Sequence, residues 1–176
     1  LEPSNPQARK LYANLAGVEI GDGFPVRLVG VINASPESFY KGSVAATRKA
    51  VQKHAVRMVA QGADILDIGA MSTAPYLKGA ISEGEEERRM VAAVRAVRDA
   101  VAVPISADTQ RSRVAAAALD AGASIINDVS GLSCDPAMAE VARRARGVIL
   151  MAPELGASTA PPLQLITGLL RQCLAR

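Results

Sequence analysis

The sequence predicts an α/β fold, a parallel sheet with helices packed outside it. Three observations carry this. Short apolar runs alternate with Ala-rich helical stretches, giving five β-α units in a row, and such alternation builds a parallel sheet. Of the 176 residues, 49% are hydrophobic but only 3% are aromatic, and Trp is absent. A core of Ala, Val, Ile and Leu suits buried parallel strands against Ala-rich helices. The length fits one domain, taken as residues 1–176, with a real core. Periodicity alone leaves two architectures open, a doubly wound sheet and a (βα)8 barrel.

The elements follow in order. Residues 26–33 form an apolar run that reads as the first strand and stops at Asn33, before the turn-forming Ser35-Pro36. Residues 45–61 are helical, with Ala50, Val51, Ala55, Met58 and Val59 on one side and Arg48, Lys49, Lys53 and Arg57 among the polar positions. "GADILDIG" (62–69) opens on a glycine helix stop and runs into the second strand. Residues 82–101 form the next helix. Ser82 is its expected N-cap, with Glu85 three residues on and acids crowding the dipole-positive first turn. Residues 103–109 are the third strand, and 111–121 a helix stopped by Gly122. Residues 123–131 are the fourth strand and its loop. Residues 135–146 are a helix with Asp135 as cap and Pro136 at its first position. Residues 147–153 are the fifth strand, and 162–176 a last helix.

Composition excludes several classes. The formal net charge is +3, and no patch interleaves aromatic with basic residues, so nucleic acid is not implied. Cys134 and Cys173 match no metal-ligand spacing and read as reduced thiols of a cytoplasmic protein. No apolar run approaches the roughly 20 residues of a membrane helix. The opening "LEPSNPQARK" lacks the apolar centre of a secretion signal. His54, the single histidine, falls inside a helix and reads as solvated or structural. No Gly-x-Gly-x-x-Gly follows a strand and no Gly-x-Ser-x-Gly elbow is present, which argues against dinucleotide binding and triad chemistry.

The strand exits hold the chemistry. Both competing folds place active sites at the C-terminal strand ends. The exits carry Asn33, Ser35 and Glu37, then Asp67, Ser72 and Thr73, then Asp108 and Thr109, then Asn127, Asp128 and Ser130, and finally Met151 and Glu154. One polar exit is ordinary helix capping; four in succession suggest a ring. Asp67, Asp108 and Asn127 lie against apolar strand residues, where capping explains them less well. Carboxylates accept hydrogen bonds and amides do both, so an Asp/Asn ring suits a fused heterocycle with an amino group and ring N–H groups. Positioning and charge stabilisation are the expected means of any catalysis.

Four segments bear a family resemblance. "GVINASPESF" (30–39), "GADILDIGAMSTAP" (62–75), "ISADT" (105–109) and "AGASIINDVSGL" (121–132) resemble, in order, the motifs of the dihydropteroate synthases, from about Gly30 to Met151. The resemblance implies a pterin-binding TIM (βα)8-type barrel, of which about the first five βα units are present, so that 1–176 reads as a domain incomplete at its C-terminus. It implies a transferase that condenses 6-hydroxymethyl-7,8-dihydropterin diphosphate with p-aminobenzoate or a related aryl amine, with Mg²⁺ as cofactor. It assigns Asn33 to the Mg²⁺ and, with Asp108, to catalysis. It gives Ser35 to Phe39 to a loop closing over the amine, Thr73 to the diphosphate, Asp108 and Asn127 to the pterin, and Asp67 to pocket support. Ala74 stands where the family has Arg, and Lys78 is the candidate substitute cation. The partners are these small molecules, with a homodimer an open assembly and neither nucleic acid nor membrane expected. A partial or non-catalytic pterin-binding module and a pterin-dependent methyltransferase are the alternatives.

Overall fold

The computed structural model describes residues 10–34, 47–71 and 81–151, together with Gly168 and Arg171. The chain opens on an antiparallel hairpin, β1 (Tyr12–Leu15) and β2 (Val18–Gly21). Its turn, Ala16-Gly17, has both φ angles positive (53° and 102°), as a two-residue hairpin turn requires. The Asn14 carboxamide accepts from the Gly17 N–H at 2.7 Å.

Five parallel strands follow: β3 (Val29–Asn33), β4 (Ile65–Gly69), β5 (Ile105–Asp108), β6 (Ile125–Asp128) and β7 (Gly147–Leu150). Between them lie α1 (Arg48–Ala60), α2 (Glu83–Arg98), α3 (Ser112–Ala121) and α4 (Met138–Ala142). The sheet order is β3-β4-β5-β6-β7. Every strand adds beside its predecessor and the order never reverses. A doubly wound sheet requires a reversal; an arc of a (βα) barrel does not. The strand order thus decides between the two architectures that periodicity left open.

The helix-facing side of the sheet holds the core. Ile32, Leu66, Ile68, Ile105 and Ala107 pack against Val51 and Ala55 of α1, Met90, Val94 and Val97 of α2, and Val114 and Ala118 of α3. Ile126 packs with Ala115, Met138 and Ala142. Gly30 lets α1 approach, since a Cβ there would lie 2.9 Å from Leu66 Cδ2 and 3.0 Å from Met58 Sδ. The hairpin packs on the N-terminal end of β7. Ala16 N–H donates to the Arg146 carbonyl. Leu15 sits where a Gly147 side chain would stand, its Cα 3.2 Å from that position.

The expected caps divide. Ser82 caps α2, its hydroxyl accepting from Glu85 N–H at 3.2 Å. Glu85 does not reach back to complete a capping box; it pairs with Arg88 and Arg89, which hold its carboxyl down at about 2. Asp135 does not cap a long helix of its own. One oxygen accepts from Ala137 N–H at 2.9 Å, and the other accepts from Ser112 N–H at 2.8 Å, at the start of α3. The expected helix over 135–146 is only the short α4, and Pro136 lies ahead of it. The first strand begins at Val29 rather than residue 26, because Leu28 N–H is taken by the Asp64 carboxylate at 2.8 Å. Periodicity announced no hairpin over residues 11–25. The last expected helix lies outside the described residues except for Gly168 and Arg171, both helical.

Candidate functional site

In-register residues of neighbouring parallel strands point to the same side of the sheet. On the side away from the helices the register stacks tiers. The lowest tier is Val29 with the buried Ile65. Above it runs the tier Val31, Asp67, Ser106 and the buried Ile125. At the C-terminal strand ends are Asn33, Gly69, Asp108 and Asn127. Period-2 alternation along four strands thus brings Asn33, Asp67, Ser106, Asp108 and Asn127 to one face.

Asn127 Nδ2 donates to Asp67 Oδ2 at 3.1 Å, across the intervening strand β5. On a flat sheet, next-but-one strands stand roughly 9.5 Å apart, twice the single spacing. Two short side chains bridge that gap only if the sheet is concave on this side. The bond is therefore a local sign of barrel curvature, and it places the polar groups inside the curve.

The site is rich in unused acceptors. Asp67 Oδ1, Asn127 Oδ1 and Ser106 Oγ are buried with no hydrogen bond of good geometry. Buried polar atoms are ordinarily paired, and an orphan is costly unless water or ligand supplies a partner. Burial pushes the Asp67 carboxyl up, opposed by Ser106 and Asn127 beside it. Asp108 is pushed up to about 6, first by burial and then by the charges of Asp67, Asp128 and Glu86. Gly69, between Asn33 and Asp108 in the register, leaves a slot, with Asp108 Oδ2 3.7 Å from where its Cβ would be. A slot walled by carboxylate and amide acceptors can take a flat, donor-rich ring.

The other polar exits are structural. Asp128 is fully buried, and its carboxylate accepts from Ser130 N–H (2.8 Å) and Leu132 N–H (2.9 Å), shaping the loop after β6. Ser130 Oγ accepts from Ser133 and Cys134 N–H in the same loop. Thr109 is buried against α2. His54 lies in α1, its ring held below its usual range by burial and by Arg57. Of the sequence-predicted site residues, Asn33, Asp67, Asp108 and Asn127 come together on one face. Ser35, Phe39, Thr73 and Lys78 lie outside the described residues, as do Ser72, Ala74 and Glu154.

Two features escaped the sequence reading. Ser106, fully buried beside Asp67, sat inside an apparently apolar strand. Glu86, 1% exposed, was hidden in an acidic first turn that the helix dipole already explained. A signal for it existed. Glu86, Met90, Ala93 and Val97 share one stripe of α2, so a carboxylate stood where the period demanded a core residue.

Residues 29–163 match the family described as "Pterin binding enzyme". A dihydropteroate synthase of Clostridium beijerinckii is 36% identical over 126 residues, which is 72% of this chain and 46% of that protein. That of Bacillus subtilis is 41% identical over 115 residues, 65% of this chain and 40% of the relative. Among solved structures, the Clostridium difficile dihydropteroate synthase determined with pteroic acid aligns with a TM-score of 0.76 at 30% identity, covering 85% of this chain and 57% of that one. The Xanthomonas albilineans enzyme with 4-aminobenzoic acid aligns with a TM-score of 0.75 at 30% identity, covering 93% and 61%. The chain therefore spans about half the length of the curated relatives it matches.

Proposed function

Since the chain belongs to the pterin-binding enzyme family, we propose that the curved face bearing Asp67, Asp108 and Asn127 holds a dihydropterin ring. The observation that carries this is the row of buried acceptors without partners, Asp67 Oδ1 and Asn127 Oδ1, beside the Asp108 carboxylate. A pterin presents an exocyclic amine next to a ring N–H, a donor pair that one carboxylate accepts in bidentate fashion. The amide of Asn127 serves the mixed edge of the ring, while its bond to Asp67 fixes which way it points.

The reaction this supports is condensation of 6-hydroxymethyl-7,8-dihydropterin diphosphate with p-aminobenzoate or a related aryl amine. The methylene C–O bond breaks and diphosphate leaves with the electron pair. The amine nitrogen forms the C–N bond and loses a proton. Cationic character at the methylene favours a nearby anionic carboxylate, the role given to Asp108. The kinship with dihydropteroate synthases expected from the four motifs agrees with the matched relatives, whose structures include complexes with pteroic acid and 4-aminobenzoic acid.

Asn33 is an oxygen donor at the exit of β3. Among the described residues no group of three His, Cys, Asp or Glu could hold a metal. Mg²⁺ keeps several waters and binds through few protein oxygens plus substrate phosphates, and this donor set fits that habit. Asn33 would hold such an ion, which would neutralise charge on the leaving diphosphate. Ser35 and Phe39 are proposed for the closing loop, and Thr73 and Lys78 for the diphosphate.

The alternative reading is a pterin-binding module without transfer activity. Incubation with the dihydropterin diphosphate, Mg²⁺ and a panel of aryl amines separates the two. Diphosphate release that depends on the amine supports transfer. Pterin binding without release supports the module. No pterin binding by the folded protein rejects both.

A further inference from the structure

The buried Glu86 and Thr109 and the half-buried Arg111 form a cluster behind the pterin face that touches none of the residues assigned above by side chain. Glu86 Oε1 accepts from Thr109 Oγ1 at 2.6 Å, and its Oε2 accepts from Arg111 Nη1 at 2.8 Å. The same guanidinium nitrogen donates to the Ile81 carbonyl at 3.2 Å, just ahead of the α2 cap. Thr109 Oγ1 also accepts from Arg111 N–H at 3.2 Å, and Thr109 N–H donates to the Asn127 carbonyl at 3.1 Å. Residue 109 is thus tied to α2 by its side chain and to β6 by its backbone. It is the residue immediately after Asp108, the last of β5.

A carboxylate that is 1% exposed on the apolar stripe of a helix is expensive to bury unless it is paired. A packed apolar residue would serve α2 more simply. Resting on the pterin reading above, we infer that Glu86 is a positioning residue for the site. It fixes the chain at Thr109 so that Asp108 meets the ring in one orientation, and Arg111 pairs with Glu86 and ties the start of α2 to the same point.

The charged groups facing the β5 exit are Asp67 from β4, Asp128 from β6 and Glu86 from α2, with Arg111 bound to Glu86. Glu86 therefore acts on Asp108 by geometry and by field. Removing its charge lowers the pH at which Asp108 ionises. Removing its grip on Thr109 loosens the orientation. Outer groups that orient metal ligands contribute about 10- to 100-fold, and the lower end of that range is expected for an organic ring.

The test uses the intact protein and two readouts. Titration of the Asp108 carboxyl by carbon-detected NMR needs no ligand. Affinity for 6-hydroxymethyl-dihydropterin between pH 5 and 8 reports the site. Glu86→Gln should lower the Asp108 midpoint, shift the binding profile to lower pH and weaken binding about 10-fold at neutral pH. Thr109→Val should weaken binding similarly, and Thr109→Ser should restore it. The Thr109 pair decides the matter if Glu86→Gln does not fold. An unchanged Asp108 midpoint in folded Glu86→Gln, or equal affinity of the Thr109→Val and Thr109→Ser proteins, overturns the inference. A wild-type protein whose Asp108 responds to Glu86 but which binds no pterin overturns the pterin reading and leaves the positioning of Asp108 standing.

Discussion

Replacing Asp108 by Asn should make the ligand-free protein more stable while disabling it. The Asp108 carboxyl is raised from 3.8 to about 6, chiefly by burial and then by Asp67, Asp128 and Glu86. A carboxylate raised on folding is one whose charged form the fold disfavours. Its contribution is harmless below the unfolded value, becomes destabilising as pH rises through the window from 3.8 to about 6, and is constant above it. At about 1.4 kcal/mol per unit, the gap corresponds to about 3 kcal/mol at pH 7.5, falling to about 1 kcal/mol at pH 4.5. Asn keeps the shape and removes the charge. Urea denaturation of both proteins at the two pH values should therefore show the variant ahead by about 3 kcal/mol at the higher pH and by about 1 kcal/mol at the lower. Pterin affinity, by contrast, should fall roughly 10- to 100-fold, because a charged acceptor is lost from a desolvated hydrogen-bond pair. A variant no more stable at pH 7.5 than wild type, or a stability difference that does not change with pH, would refute this account of Asp108.

Further outcomes follow from single contacts. Asn33→Ala should abolish the Mg²⁺ dependence of pterin-diphosphate binding, measured calorimetrically, while leaving binding of the pterin alcohol within about 2-fold; equal losses for both ligands contradict the metal role. Asn127→Leu removes the donor to Asp67 Oδ2 and should lower stability by about 1–3 kcal/mol with loss of pterin binding, read by thermal melts and fluorescence quenching. Ser82→Ala should lower stability by about 1 kcal/mol without changing affinity, since it touches only the α2 N-terminus. Gly147→Val forces the hairpin off the sheet, because Leu15 occupies the space a side chain would need; hydrogen exchange should rise over residues 12–21 and stay unchanged at β5.

The amino-acid sequence by itself determined the β-α alternation, the aliphatic parallel sheet and the Ser82 cap, because these depend on local periodicity and on neighbours a few residues away. It also named Asn33, Asp67, Asp108 and Asn127, since polar groups at the ends of apolar runs stand out against a period-2 background. Their placement at strand exits did not by itself separate them from Asp128, Ser130 and Thr109, which occupy similar places along the chain; the family resemblance singled them out. Parity on the pleat and long-range partners are the physical reason for that division. One face of the sheet gathers Asp67 and Asn127 across β5, while Asp128 turns to its own loop and Thr109 to α2. The strand order, and hence the choice of a barrel arc over a doubly wound sheet, was likewise a tertiary fact, since a β-α repeat specifies parallel pairing but not on which side each new strand is laid. The identity of Glu86 as a buried anchor was decided the same way. The helical period marks Glu86 as the inward one of three consecutive glutamates, but its partners Thr109 and Arg111 came only from the packing of α2 against the β5–α3 turn.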